Sequence, residues 1–171
     1  MADQPRRTPA DARLLLDAML GKLATYLRMC GYDTAYALDR EASDRTGGDE
    51  QREGRRGVED DDALLELARA EDRLLVTRDA NLAARADGLL LESKAVPEQL
   101  RELAAAGFRL ELTEPARCAE CNGNLVEVEG SDTPAYAPSP AERRVWRCSE
   151  CGQHFWRGSH WQSVAETLSE L

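Results

Sequence analysis

Two Cys-x-x-Cys pairs, Cys118–Cys121 and Cys148–Cys151, are separated by 26 residues in a chain of 171. Each pair fits one tight turn, and two such turns present the tetrahedron of soft thiolates that Zn²⁺ prefers. The spacing predicts a small four-cysteine zinc ribbon over residues 115–171. So short a segment encloses little apolar core, and metal ligation worth about 10–16 kcal/mol in apparent terms takes its place. The stretch in front must then be a separate unit of about a hundred residues, enough to bury a core.

Composition narrows the setting. No stretch approaches the roughly 18 apolar residues of a membrane span, and residues 1–12 lack the apolar centre of a signal peptide, which predicts a cytoplasmic protein without membrane contact. Five cysteines, four of them used as metal ligands, suit a reducing compartment. Net charge is −10, yet only Lys22 and Lys94 among 22 basic residues are lysine. An acidic, arginine-rich surface of this kind predicts a halophilic source. In molar salt the Debye length is about 3 Å, so acidity does not exclude a polyanionic partner held at short range.

Residues 1–12, with Pro5 and Pro9 and no apolar period, read as a disordered tail. Short apolar runs predict strands at 13–17, 33–38, 73–77, 88–91 and 109–112. Between them lie amphipathic stretches. Leu20, Leu23, Ala24, Leu27 and Cys30 share one helical face that closes at Gly31, which makes Cys30 a core residue. A second helix opens on Glu59–Asp62, a third carries Leu82 and Ala83, and a fourth starts at Pro97. Residues 40–57, rich in glycine and charge, read as a mobile loop. The order βαβαβαβαβ predicts a mostly parallel five-stranded sheet with helices on both faces, which gathers ligands at the carboxyl ends of its strands.

Three aspartates belong at that edge. Asp17 ends the first strand, Asp79 follows the third, and Asp61 opens the helix leading into the third. Clustered carboxylates with room for water and phosphate suit Mg²⁺ or Mn²⁺, the apparatus of a metal-dependent phosphodiesterase. Each also precedes a helix, where aspartate is a preferred N-cap, and the two roles are compatible.

These residues carry a resemblance. Leu16-Asp17-Ala18-Met19-Leu20-Gly21-Lys22-Leu23-Ala24, Leu27-Arg28, Gly31-Tyr32-Asp33, Asp61-x-x-Leu64-Leu65, Leu75-Val76-Thr77-Arg78-Asp79 and Trp156-x-Gly158-Ser159-His160-Trp161 together resemble the Mut-seven C-terminal RNase family. The resemblance implies a PIN-like three-layer nuclease domain over 13–114, fused to the zinc ribbon, and metal-dependent hydrolysis of RNA. Asp17, Asp61 and Asp79 match its acidic positions, with Asp60 and Asp62 as neighbours of the second. A further acid common in PIN nucleases has Asp39, Asp44 and Asp49 as candidates. Lys22 and Arg78 read as phosphate contacts or solvated residues, and Asp33 as a turn residue.

The ribbon collects all three tryptophans. From Arg143 to Trp161 four arginines stand against Glu150, a local charge of +3 in an acidic chain. Aromatics for stacking, with Arg147, Arg157 and His160 at hand, suit single-stranded RNA. The reading is an endoribonuclease with structural Zn²⁺ and catalytic Mg²⁺ or Mn²⁺. Its rivals are a non-catalytic RNA-binding or ribosome-associated adaptor, and a toxin of the VapC type, which shares the PIN fold.

Overall fold

Three consecutive leucines set the first element. In the computed structural model, which describes residues 7–39 and 60–171, Leu14, Leu15 and Leu16 of β1 (Arg13–Leu16) are fully buried. Such a run is what a parallel strand covered on both faces requires. Strands β2 (Asp33–Tyr36), β3 (Leu74–Thr77) and β4 (Leu89–Leu90) join β1 in the order β2-β1-β3-β4, every pair parallel.

Leu14, Leu16 and Val76 face a core shared with Leu23 and Leu27 of α1 (Gly21–Met29) and with Leu100 and Leu103 of α4 (Val96–Ala105). Leu15 and Leu75 face a second core with Leu64, Leu65 and Ala68 of α2 (Asp61–Ala70) and Leu82 of α3 (Ala80–Ala86). The result is the three-layer α/β architecture expected, with the core on both sides of the sheet. Cys30 is buried in the first of these cores, where burial, with help from Glu111, pushes its thiol up to about 12.

Three expectations need correction. Among the described residues the sheet has four strands, because Arg109–Leu112 forms none. Arg109 and Glu111 pair with each other in solvent at 2.7 Å, and β4, at two residues, offers too short an edge for a fifth strand. Residues 7–12, read as part of a disordered tail, are held. The Arg7 amide donates to the Gly107 carbonyl at 2.7 Å, the Arg109 amide donates to Arg7 at 2.9 Å, and the Tyr32 hydroxyl lies within 2.9 Å of both the Arg7 and Arg109 carbonyls. A fifth helix, α5 (Ser159–Ser169), was not foreseen. Its Trp161, Val164 and Leu168 follow helical spacing, and Leu168 packs on the first core, so the ribbon segment folds back on the α/β unit. Residues 1–6 and the loop expected at 40–57, with Asp44 and Asp49, lie outside the described residues.

The ribbon is an antiparallel sheet of β5 (Leu125–Glu127), β6 (Val145–Cys148) and β7 (His154–Trp156), in that order. It docks on β2, an edge strand whose outward backbone groups would otherwise be unpaired. The Thr34 amide donates to Asn122 Oδ1 at 2.9 Å, and the Thr34 carbonyl accepts from buried Arg28 Nε at 2.9 Å. Arg28 also donates to the Ala119 carbonyl at 3.0 Å. Beside them Asp33 accepts from Arg73 Nη1 and Asn122 Nδ2, each at 2.7 Å, and from Arg13 Nε at 3.1 Å. Asp33, read from sequence as a turn residue, is therefore the hub between the two parts.

Burial raises the Asp33 carboxyl, but the Arg73 and Asn122 donors and the Arg73 charge outweigh it and hold it well below the usual carboxylate range. Its stabilisation is complete above the unfolded value near pH 4 and is lost as pH falls below that. Asp33→Ala leaves Arg73, whose side chain is 6% exposed, with Glu71 but without the carboxylate that its Nη1 donates to. The expected cost is about 2–3 kcal/mol at pH 7, below the range for fully buried pairs because Asp33 keeps some solvent contact. Denaturant unfolding of both proteins checks this, and the gap between them should narrow below about pH 4.

Candidate active site and metal centre

The carboxyl edge of the sheet brings Asp17 and Asp79 together through one hydroxyl. Asp17 follows β1, and its amide donates to the Val76 carbonyl at 3.1 Å. Its Oδ1 caps the 3-10 turn Ala18–Leu20 by accepting from the Ala18 amide at 2.6 Å. Its Oδ2 accepts from the Thr77 hydroxyl at 2.7 Å. Thr77 is fully buried, and the same Oγ1 accepts the Asp79 amide at 3.0 Å. A threonine hydroxyl has one proton to give and lone pairs to receive, so both capacities are used here.

Asp79 caps α3, its Oδ1 accepting from the Asn81 and Leu82 amides at 2.8 and 3.0 Å. Its Oδ2 has no hydrogen bond among the described residues, and Asp79 is exposed. One oxygen holds the helix while the other remains open to a ligand. The cap reading and the ligand reading thus coexist on one carboxylate.

Asp61 is placed differently. It is the first residue of α2, and its carboxylate lies 3.9 Å from Arg85, which also bonds Asp62. Asp60 is the cap, accepting from the Asp62 amide at 2.9 Å. Asp39 accepts from Arg28 at 2.9 Å. Among the described residues the acidic side chains form no group of three able to share a metal.

Sequence reasoning missed two residues that shape this edge. Tyr36, the last residue of β2, donates its hydroxyl to the Ala18 carbonyl at 2.6 Å and holds the turn that carries Asp17. Thr77 was visible only as part of the Leu75–Asp79 block. Lys22 is exposed at the start of α1. Arg78 has an enclosed Nε that makes no hydrogen bond among the described residues. Its charge reaches Glu102, whose carboxylate accepts the Glu92 and Ser93 amides at 2.8 and 2.9 Å and so holds the loop after β4.

The four cysteines converge as their spacing predicts, with all Sγ atoms within 4.8 Å of one another. Cys118 Sγ lies 3.7 Å from Cys151 Sγ, and Cys121 Sγ lies 3.5 Å from Cys148 Sγ. Burial pushes the Cys118 thiol up and the Cys121 thiol up to about 11, whereas at Cys148 burial is outweighed by amide donation from Cys151 and Glu150, which brings the thiol down to about 7. Preformed amide donors aimed at a sulfur suit a thiolate ligand, so the site can hold a metal such as zinc. Gly123 is required here, since a Cβ would lie 2.7 Å from Cys148 Sγ.

The aromatic part of the ribbon lies elsewhere. Trp146 is buried, with the Arg144 and Arg157 guanidinium groups 4.9 and 5.8 Å from its ring centre. Arg157 also stands 5.4 Å over Trp161. Arg144 is bound to Glu127 and Glu114. Arg147 and His160 are exposed, and His160 lines a cleft of about 260 Å³ between the ribbon and the end of α1. Of the residues expected to meet RNA, Lys22 and Arg78 thus belong to the α/β unit and Arg147, Arg157 and His160 to the ribbon, in two groups.

The family model described as the Mut7-C RNAse domain matches residues 12–168. The description implies a ribonuclease-like function with RNA as the substrate class. No curated protein and no solved structure matches the chain. No described helix is long and apolar enough to cross a membrane.

The purified chain is expected to carry a single Zn²⁺. Gly123→Ala should weaken its retention about 10–100-fold, the range for changes just behind a ligand sphere. Competition with a chromophoric chelator measures it, and unchanged retention would contradict the contact at Gly123.

Proposed function

Because the chain belongs to the Mut7-C RNAse domain family, we propose that it is an endoribonuclease that cuts RNA phosphodiester bonds at Asp17 and Asp79. The observation that supports this best is the Asp17–Thr77–Asp79 linkage, in which one buried hydroxyl holds the Asp17 carboxylate and the Asp79 backbone amide at the strand ends. Mg²⁺ is commonly held by one or two carboxylates together with substrate phosphates, so this pair fits such an ion; Asp61, beside Arg85 in this structure, would join as a third ligand only by leaving that partner. When bound, Mg²⁺ or Mn²⁺ supplies Lewis acidity to the phosphoryl oxygens and acidifies the attacking water.

The protein's own part is placement and charge. Thr77 fixes the Asp17 carboxylate from one side and the Asp79 backbone from the other, so neither needs to reorganise when substrate arrives. Arg78 and Lys22 offer positive charge to phosphates, Arg78 from within the loop that carries Asp79. Zn²⁺ keeps the ribbon folded on the edge of the sheet, and the ribbon assists binding of single-stranded RNA. The acidic, lysine-poor surface fits work in a salt-rich cytoplasm.

A second reading, an RNA-binding adaptor without catalysis, draws support from the pairing of Asp61 with Arg85 away from the other two aspartates. The two readings separate in a cleavage assay on mixed-sequence single-stranded RNA with Mn²⁺ or Mg²⁺ at high salt. Asp17→Asn and Asp79→Asn are expected to lower kcat at least about 100-fold, the contribution of a positioned acid–base or electrostatic group. Thr77→Val should lower it less, while zinc content stays constant in all three. Full activity in Asp17→Asn would remove the proposed site, and RNA binding without cleavage in the native protein would favour the adaptor.

A further inference from the structure

We propose that the cleft between the end of α1 and the ribbon seats one unstacked base of a single-stranded RNA, several nucleotides from the bond cut at the aspartates. The proposal rests on the ribonuclease reading for its ligand. Phe155, Trp156, His160 and Trp161 form the ribbon side of the cleft, and Arg28 and Met29 form the side from α1. Its volume of about 260 Å³ falls under the roughly 300–1,000 Å³ of pockets for drug-sized ligands and suits a single ring system. A flat ring against tryptophan and phenylalanine gains stacking from any base, which is how sequence-tolerant single-strand binders work.

Charge favours the same occupant. In the segment that supplies the aromatic wall, Arg143 to Trp161, four arginines stand against Glu150; Arg144 is held by Glu127 and Glu114, which leaves three to face a polyanion. Exposed Arg147 and Arg157 are among them, where a sugar-phosphate backbone would run once its base is inserted. Arg28 is engaged with Thr34, Ala119 and Asp39, so it shapes the wall and is not a free contact. Gly158 serves the wall too. A Cβ there would lie 2.7 Å from Trp156 Nε1, so the glycine lets the indole lie flat across the chain.

The cleft and the aspartates stand at opposite ends of α1. Asp17 caps the turn before the helix, whereas Arg28 and Met29 close its last turn. Nine helical residues span about 13 Å. An RNA that fills both places must cross that length, so the seated base is not the one beside the scissile phosphate.

The test uses the full, zinc-loaded chain and a single-stranded oligoribonucleotide of about a dozen nucleotides in which an abasic position is walked along the strand. Binding is read by tryptophan fluorescence in the Asp17→Asn protein, which avoids turnover. One abasic position should lower affinity about tenfold, within the measured range for a stacked base. Trp156→Ala and Gly158→Ala should flatten that profile, and Trp156→Phe should restore it, with zinc content unchanged throughout. A flat abasic profile, or affinity untouched by both changes, overturns the base seat, including the case of a cleft that takes a peptide. If native protein cleaves RNA while the profile is flat, the seat fails and the nuclease stands. If the profile depends on Trp156 in a protein that never cleaves, the seat stands and the nuclease fails.

Discussion

The Asp33 carboxylate is the point through which the two parts of the molecule are joined. It receives Arg73 and Arg13 from the α/β unit and Asn122 from the first zinc knuckle, and Arg117 stands 3.8 Å away. Asn122 can reach it because its backbone is left-handed, with φ +69° just after Cys121, which turns the side chain toward β2. The same residue accepts the Thr34 amide, so one asparagine satisfies both the hub and the open edge of the sheet. A metal held by the knuckle would therefore bear on the sheet as well as on the ribbon. Without the knuckle, Thr34 loses the partner of its amide and Asp33 loses a donor, in the strand beside the one that delivers Asp17.

The carboxyl edge follows the opposite logic, with few donors and an open acceptor. Thr77 both donates to the Asp17 carboxylate and accepts the Asp79 backbone amide, and Asp79 gives one oxygen to its helix. Both Asp17 oxygens are bonded to protein, whereas exposed Asp79 commits one oxygen and keeps the other open. Such a site is preorganised without being saturated, which is the condition for electrostatic help to a reacting phosphate. Arg85 keeps Asp61 apart from the pair, so the described residues place two acids at the edge and a third on the neighbouring helix.

Much of this was legible in the sequence, and the reasons differ by feature. The leucine runs 14–16 and 74–75 could only be buried strands, and the Cys-x-x-Cys spacing could only converge, since period and ligand geometry are local properties. Asp17 and Asp79 could be placed at one edge because parallel topology follows from the order of elements. The fifth strand was misread because Arg109–Leu112 has strand-like alternation but no adequate edge to join, a fact of tertiary context. Helix α5 was hidden because the aromatics of this segment read as a stacking surface, although Trp161, Val164 and Leu168 keep helical spacing. Asp33 was undervalued for a related reason. A polar residue at the start of a strand looks like a turn until the partner that docks against it is known.

The distribution of arginine and tryptophan bears on how an acidic chain can hold a polyanion. Phosphate contacts draw their strength from counterion release, and that strength falls steeply as salt rises. A chain of net charge −10 gains little from long-range attraction in any case. Contacts that survive both conditions are short-range ones, and the ribbon supplies them. Two of its four local arginines stack on tryptophan, Arg144 and Arg157 over Trp146, and Arg144 is further neutralised by Glu127 and Glu114. These guanidinium groups stiffen the aromatic face more than they advertise charge. On the proposed reading, a ribbon built this way would hold RNA through the bases it stacks, leaving the carboxyl edge of the sheet to deal with the phosphate.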